Sequence, residues 1–369
     1  MHKKLSQKFG LPRSSIPVLR SLDEITGGVS TSLPISQNND VYTMAQSSCW
    51  LDDNHFIVGR WDGTATIFDT SPSQQKAPTL DVVLSPPSHG GVQMLCRAGN
   101  GLLWSSNDVQ SMAIWSTSTG DWSDLKLAGQ ASYPLQYGVA NCGIACQTAS
   151  GSWLATGHES GYLLVWDCSN PLVPILKTVV DLRNQNPTNP WGLHNIRGVQ
   201  LWDMAAGNAF VVTGSENGDI CIVSIPTGLV LSRSCYHIGA QRGINTVSVY
   251  EDWLLVGNCA VGPNDKNFWA YQIASGGGSV NYTDSTNLVL DTSLPQVFNF
   301  SISNGLLSTG SWSWFAATEE GALWMGSLDA KGKISVTGYE EVSAKVGAAT
   351  AYYDNELVVA AFNVHSFDC

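Results

Sequence analysis

Short apolar runs separated by glycine-rich polar turns recur along the chain. In the clearest example, residues 153–156 and 162–166 are two runs of strand length joined by the turn 157–161. The two glycines of that turn tolerate the positive φ that a tight turn requires. The second run is followed by Ser169-Asn170-Pro171, which is typical of a turn. The pattern predicts two antiparallel strands.

The same layout returns along the whole chain. It starts again near residues 57, 212 and 316, more loosely near 102 and 253, and a last copy spans 357–368. A period of roughly 40–50 residues with two visible strands per repeat is typical of β-propellers. The position of Trp166 is held in the other repeats by Phe68, Trp115, Val223, Tyr271, Gly326 and Phe367. Seven such positions predict an all-β, seven-bladed β-propeller.

Each repeat resembles the second and third strands of a WD40 blade. In that family an Asp in the turn between these strands often hydrogen-bonds a His ahead of the first strand, and the Trp of the third strand joins the network. Here that position holds Asp62 in the first repeat but Ser160, Asn217 and Glu320 in others, and no Gly-His dipeptide precedes a first strand. The resemblance therefore implies a WD40-like propeller with degenerate repeats.

The last repeat stops after its third strand, so its sheet needs an outer strand from elsewhere to avoid an open edge. Residues 16–22 form a short extended run with no blade of their own. The resemblance implies that an N-terminal strand completes the last blade, and we expect residues 16–22 to supply it. We therefore predict a basic arm over residues 1–14 and a single propeller domain over residues 15–369.

The charge of the chain is unevenly distributed. The net charge is −12, yet the first 22 residues hold five basic residues and no acidic one. Lys3, Lys4, Lys8 and Arg13 are therefore candidate contacts for a protein or RNA partner. A solvated tail is the simpler interpretation. The acidic body disfavours nonspecific binding of nucleic acid over the whole surface.

The sequence also bears on the compartment. No apolar run reaches the roughly 18 residues of a membrane-spanning helix, and the basic start lacks the apolar core of a signal peptide. The nine cysteines are scattered and fall mostly in strand-like runs, which fits buried thiols better than a disulfide framework. We expect an intracellular chain, cytoplasmic or nuclear, without membrane association.

Patterns of catalysis and metal binding are weak. The sialidase-type repeat, the Gly-x-Ser-x-Gly elbow and the phosphate-binding P-loop are absent from the sequence. Cys142 and Cys146 would lie about 13 Å apart in an extended strand, too far for one zinc ion. We predict no catalytic residues, no metal site and no small-molecule cofactor.

Aromatic and basic residues at turns are the candidates for a binding surface. Arg60 and Trp61 lie at a turn between second and third strands, His158 lies at the equivalent turn of another repeat, and Trp191 lies in a loop rich in Pro and Asn. Exposed Trp and Arg are favoured interface anchors, and loops on rigid scaffolds carry binding. Ordinary turn packing is the alternative for each of them.

These features favour a non-catalytic scaffold that holds other protein subunits in a multi-subunit complex. The alternative is a ligand-binding propeller that holds a glycan in its rim loops or contacts RNA through those loops and the basic arm. Glycan binding would need aromatic and polar pockets at equivalent places in each blade, and the Trp positions are not equivalent from blade to blade.

Overall fold

The computed structural model describes residues 31–34, 45–69, 78–83, 91–183, 194–202, 209–235, 243–258, 267–274, 279–288, 297–302, 310–318, 322–341, 349–353, 356–360 and 363–368. Regular structure in these ranges is almost entirely β-strand, with short 3-10 turns at Trp122–Asp124 and Leu135–Tyr137. Within the same ranges no helix is long and apolar enough to cross a membrane.

The strands form seven antiparallel sheets of four strands each in the described part of the chain. The first three sheets are β2 (Ala45–Trp50), β3 (His55–Arg60), β4 (Thr64–Asp69) and β5 (Pro78–Val83); β6 (Met94–Gly99), β7 (Leu102–Ser106), β8 (Ser111–Ser116) and β9 (Lys126–Ser132); and β10 (Ala140–Thr148), β11 (Gly151–His158), β12 (Tyr162–Asp167) and β13 (Ile175–Asp181). The next two are β14 (Ile196–Trp202), β15 (Ala209–Ser215), β16 (Asp219–Ile225) and β17 (Val230–Cys235); and β18 (Ile244–Tyr250), β19 (Trp253–Asn258), β20 (Phe268–Ile273) and β21 (Val280–Leu288). The last two are β22 (Val297–Ile302), β23 (Ser311–Thr318), β24 (Ala322–Asp329) and β25 (Ile334–Glu341); and β26 (Ala349–Tyr353), β27 (Glu356–Ala360), β28 (Asn363–Asp368) and β1 (Thr31–Pro34).

The first strands of neighbouring sheets lie against one another. β2 contacts β6, and the same contact repeats between β6 and β10, β10 and β14, β14 and β18, β18 and β22, and β22 and β26. β26 in turn contacts β2. Sheets that meet through their first strands in this way are arranged like the blades of a propeller.

The last sheet contains the first described strand. β1 pairs antiparallel with β28, with Thr31 opposite Ser366 and Pro34 opposite Asn363. The prediction that residues 16–22 fill this place is wrong, since the place is taken by Thr31–Pro34; residues 16–22 themselves lie outside the described ranges. An outermost strand pairs on one side only, so it needs no apolar run and tolerates a proline.

The core is divided into clusters that lie between neighbouring sheets. Trp104 and Ile114 of the second sheet share one cluster with Leu154 and Trp166 of the third. The third sheet packs its other face, through residues such as Leu163, against the fourth. Because the middle strands are covered on both faces, they are apolar almost throughout, as in β12, instead of alternating.

The repeating position found in the sequence lies on the third strand of every sheet. Its seven residues are Phe68 on β4, Trp115 on β8, Trp166 on β12, Val223 on β16, Tyr271 on β20, Gly326 on β24 and Phe367 on β28. In five of the sheets the register between the third and fourth strands shifts directly before this position. A β-bulge at a fixed place bends each outer strand in the same way.

Candidate functional site

The turns between second and third strands meet the segments that link one sheet to the next. The backbone N–H of Val92, which leads into β6, donates to the carbonyl of Arg60 over 2.9 Å. The N–H of Glu159 donates to Val139 over 2.9 Å, and that of Glu216 to Asn195 over 2.8 Å. We call this end of the sheets the turn rim. It is made by the turns 60–63, 107–110, 158–161 and 215–218 and by the linkers 91–93, 133–139 and 194–195.

Trp61 is the most exposed aromatic side chain of the turn rim, with 44% of its surface accessible. Its turn is fixed by a chain of hydrogen bonds in which Arg60 Nε donates to Thr64 Oγ1 over 2.7 Å and that hydroxyl donates to Asp62 Oδ1 over 2.6 Å. The backbone N–H of Thr64 donates to the same carboxylate oxygen over 2.9 Å. The turn therefore holds Trp61 outward on a rigid support.

Arg60 itself is a positioning residue more than a contact residue. Only 12% of its side chain is accessible. The linker also closes on this turn: a Cβ added at Gly91 would lie 2.8 Å from Trp61 Cα. Of the pair predicted from the sequence, Trp61 is the exposed side chain.

His158 is not a surface residue, and this corrects its assignment to a binding surface. It ends β11 and is fully buried. Trp166 Nε1 donates to Thr156 Oγ1 over 3.1 Å, and Thr156 Oγ1 lies 2.9 Å from His158 Nε2. His158 Nδ1 lies 3.2 Å from the carbonyl oxygen of Gly138 in the linker ahead of β10. The ring ties this turn to the linker.

The partners of His158 define its protonation state. An indole N–H can only donate and a carbonyl can only accept, so the chain runs from Trp166 through Thr156 and His158 to Gly138. The imidazole is then neutral, with its proton on Nδ1. Burial lowers the pKa of His158 from 6.5 to about 4, against a smaller opposite effect of the hydrogen bond to Gly138.

The same indole hydrogen bond recurs in two other sheets. Trp115 Nε1 donates to Ser105 Oγ over 2.9 Å, and Trp269 Nε1 donates to Asn258 Oδ1 over 3.1 Å. In each case the acceptor lies two residues beyond the residue that pairs with the Trp. In the fifth sheet this bond is displaced by two residues, since Tyr271, which pairs with Leu254 and directly follows the register shift against β21, holds the place of Trp166.

The fourth sheet uses a carboxylate that sequence reasoning missed. Glu216 accepts from Asn195 Nδ2 over 2.8 Å and from Arg197 Nε over 2.7 Å. In the WD40 pattern a turn carboxylate binds a histidine ahead of the first strand, and here Asn195 and Arg197 take that part. The sequence analysis compared Asn217 with the Asp of the family, whereas the carboxylate that makes these contacts lies one residue earlier.

Val109 and Leu135 also lie exposed on the turn rim, at the turn 107–110 and on the linker 133–139. Sequence reasoning passed over both because neither is aromatic or charged. Together with Trp61 they make three exposed apolar side chains at this end of the first and second sheets.

The remaining predicted contact residues lie outside the described ranges. These are Trp191 in the 184–195 loop and Lys3, Lys4, Lys8 and Arg13 in the arm. Within the described part, no group of three His, Cys, Asp or Glu side chains is arranged to hold a metal ion.

Six cysteines are free thiols: Cys49, Cys96, Cys142, Cys146, Cys168 and Cys221. Burial raises the pKa of Cys142 to about 12 and that of Cys146 to about 11. Both are therefore protonated near neutral pH. They act as small apolar core residues.

Comparison with known proteins rests on structure. No protein-family model and no curated protein sequence matches the chain. The β-propeller domain of Cps50 (Swd1) from Myceliophteria thermophila matches with a TM-score of 0.65 at 12% identity, over 92% of this chain and 100% of that domain. The computationally designed Ika8 protein matches with a TM-score of 0.56 at 12% identity, over 92% of this chain and 100% of Ika8. The chain therefore has a WD40-like β-propeller fold.

Proposed function

We propose that this chain is a non-catalytic WD40-like scaffold that holds protein partners in a multi-subunit assembly through its turn rim. The observation that carries the proposal is Trp61, an exposed indole on a turn fixed by Arg60, Thr64 and Asp62. Trp is among the residues most enriched at the energetic centres of protein interfaces. A side chain already held in one place loses little conformational entropy on binding, which favours affinity.

The architecture that we propose for this scaffold is a closed ring of seven blades, formed by a single domain over residues 15–369. The contacts that run from β2 through the first strands of all seven sheets and back from β26 to β2 support the ring. The pairing of β1 with β28 gives the last blade its fourth strand. The likeness in fold to the Cps50 (Swd1) propeller domain also supports this arrangement.

Two other apolar side chains of the turn rim extend the contact surface that we propose. Val109 and Leu135 are exposed on the same rim. Apolar residues at the centre of a patch with polar residues around it are typical of a transient protein interface. We infer that Trp61 is the anchor and that Val109 and Leu135 contribute to the same surface.

An affinity pull-down from the cells of origin tests the proposal. The tagged chain, its Trp61→Ala variant and a Lys331→Ala control at the opposite end of the sheets would be captured at about 100 and 500 mM salt, with and without ribonuclease. We expect a set of proteins that survives both treatments, stays with the control and is depleted several-fold by Trp61→Ala, as quantified by mass spectrometry.

Other outcomes contradict the proposal in different ways. Partners lost on ribonuclease treatment or at high salt would replace it with RNA contact, the alternative that involves the basic arm. A chain captured alone would remove the scaffold function and favour a glycan or other small ligand. A partner set that Trp61→Ala leaves intact would show that the turn rim is not the contact surface.

A further inference from the structure

Asparagine followed directly by glycine occurs at residues 100–101, 217–218 and 304–305 of the chain. An asparagine side chain can react with the main-chain nitrogen of the next residue, and glycine leaves that nitrogen unshielded because it carries no side chain. The structure describes the first two copies of this dipeptide, whereas residues 304–305 lie outside the described ranges. The two described copies have different surroundings in the same fold.

Asn100 and Gly101 are the two central residues of the turn between β6 and β7. Gly99, which ends β6, pairs with Leu102, which begins β7. The closing hydrogen bond of such a turn joins the main chain of its first and fourth residues, so it does not use the N–H of Gly101, the third residue. Gly101 has a φ of 65°, a value that favours glycine. Its carbonyl accepts from the N–H of Thr117 over 2.9 Å, which anchors the turn through this oxygen.

The side chain of Asn100 is exposed, and Arg97 Nη2 donates to its Oδ1 over 3.2 Å. A guanidinium at the amide oxygen draws electron density from the amide carbon Cγ and makes that carbon a better electrophile. This contact engages the oxygen of the amide and not Nδ2, the nitrogen that would leave. Gly101 is buried, but its nitrogen belongs to the residue next to Asn100, so burial does not separate the two reacting atoms.

Asn217 and Gly218 stand one place later in their own turn. Gly218 is the residue that closes this turn, since its N–H donates to the carbonyl of Ser215 over 2.8 Å. Asn217 is half-buried, and its Nδ2 donates to Asp219 Oδ2 over 2.8 Å. Both nitrogens on which a reaction between the two residues depends are therefore engaged in hydrogen bonds.

We propose that Asn100 is a site of spontaneous deamidation, at which the side-chain amide is lost and aspartate or isoaspartate is formed. The main-chain nitrogen of Gly101 gives up its proton and attacks Cγ of Asn100. The bond from this nitrogen to Cγ forms, the bond from Cγ to Nδ2 breaks, and ammonia leaves with the proton. Water, the only other reactant, then opens the succinimide at either of its carbonyl carbons, and no oxidant or reductant takes part.

Deamidation changes the turn in two ways. Either product has a carboxylate where Asn100 has an amide, so a negative charge appears beside Arg97. Isoaspartate also carries the main chain through the former side chain, which lengthens a turn of two residues by one carbon. This turn joins a first strand to a second strand, so it lies at the end of the sheet opposite to the turn rim. The site therefore goes beyond the proposed function and is separate from Trp61.

Ageing of the purified full chain at mildly alkaline pH tests the proposal. The three dipeptides fall in different tryptic peptides, 98–126, 198–233 and 267–331, in which the asparagine, aspartate and isoaspartate forms are quantified by chromatography and mass spectrometry. We expect the products to accumulate several-fold faster at Asn100 than at Asn217. Ageing in heavy-oxygen water labels these products, which separates them from deamidation during digestion.

The same chain unfolded in guanidinium chloride is the matched control, because it keeps the sequence and loses the turns. In the unfolded chain we expect Asn100 and Asn217 to react at similar rates. Three results would each overturn the proposal: no deamidation at Asn100 in the folded chain, an equal rate at Asn217 in the folded chain, or a ratio of the two rates that unfolding leaves unchanged.

Asn100→Gln identifies the reacting residue, since the peptide 98–126 also contains Asn107. This variant should form no labelled product in that peptide, and product that remains would assign the reaction to Asn107 and overturn the proposal. The two proposals of function and of deamidation fail separately. Asn100→Asp, which carries the charge of one product, should capture the same partners as the wild-type chain, whereas Trp61→Ala should leave the rate of deamidation at Asn100 unchanged.

Discussion

Two turns at the same place in different sheets have opposite uses. The turn after β3 places Trp61 in solvent, whereas the turn after β11 begins at the buried ring of His158. Both turns are glycine-containing and polar in sequence. The two residues hold successive places in the turn: Arg60 pairs with Ala45 as His158 pairs with Ala140, so Trp61 takes the next, exposed place. Both turns are joined to a linker by a main-chain hydrogen bond, and the turn after β11 is joined to it also by the buried ring of His158.

Removing the imidazole of His158, which joins the turn to the linker, should cause the largest loss of stability. His158→Ala leaves a cavity and removes the partners of Thr156 and of the Gly138 carbonyl. We expect the free energy of unfolding to fall by about 3–4 kcal/mol, measured by urea denaturation. His158→Gln, which retains a hydrogen-bonding group, should lose less. A loss below about 1 kcal/mol for His158→Ala would show that this connection is not stabilising.

The pH dependence of stability should follow from the same residue. The folded-state pKa of His158 is about 4, below its usual 6.5, because burial disfavours the charged ring. The neutral ring therefore makes its full contribution to stability above pH 6.5. This contribution is lost as the pH falls from 6.5 toward 4, because in that range the unfolded chain binds a proton at this residue that the folded chain does not bind. At about 1.4 kcal/mol per pKa unit, the loss is about 3 kcal/mol.

The measurement is the difference in unfolding free energy between the wild-type protein and His158→Gln across this pH range. The other titrating groups contribute to both proteins and cancel. Parallel curves would contradict the assignment of this slope to His158.

A smaller loss of stability is expected in the second sheet, where no histidine continues the indole hydrogen bond of Trp115. Ser105→Ala leaves the buried indole N–H of Trp115 without its acceptor. We expect a loss of about 2 kcal/mol in unfolding free energy. Ser132→Ala, at an exposed serine of the same sheet, is the control and should change stability by less than about 0.5 kcal/mol. Equal losses in the two variants would indicate that the indole hydrogen bond adds nothing specific.

The smallest effect on stability should come from the exposed turn. Trp61→Ala removes a side chain that is 44% accessible and forms none of the hydrogen bonds of its turn. We expect a change within about 1 kcal/mol, by the same denaturation measurement. A larger loss would mean that the indole supports the turn instead of serving as a contact.

The sequence predicted the strands well because their apolar runs are a direct record of burial. The third-strand position was found in every sheet. The prediction failed for strands that contain no apolar run. β1 is a polar strand of four residues, and its place depends on β28, which lies at the other end of the chain.

The candidate site was less predictable, since exposure at a turn depends on the linker that packs against it. Trp61 and His158 were equal candidates in sequence, but His158 holds the buried last place of its strand, whereas Trp61 lies one residue further into its turn. Glu216 was missed because it lies one residue before the family position.

The pairing of Thr31 with Ser366 also has a consequence for synthesis. A ribosome makes β1 long before β28, so β1 emerges before the strand with which it pairs exists. The other six sheets each draw on one continuous stretch of chain and are free to form in order of translation. The last sheet can form only after β28 has been made, and a strand as short as Thr31–Pro34 offers little to aggregation while it is unpaired.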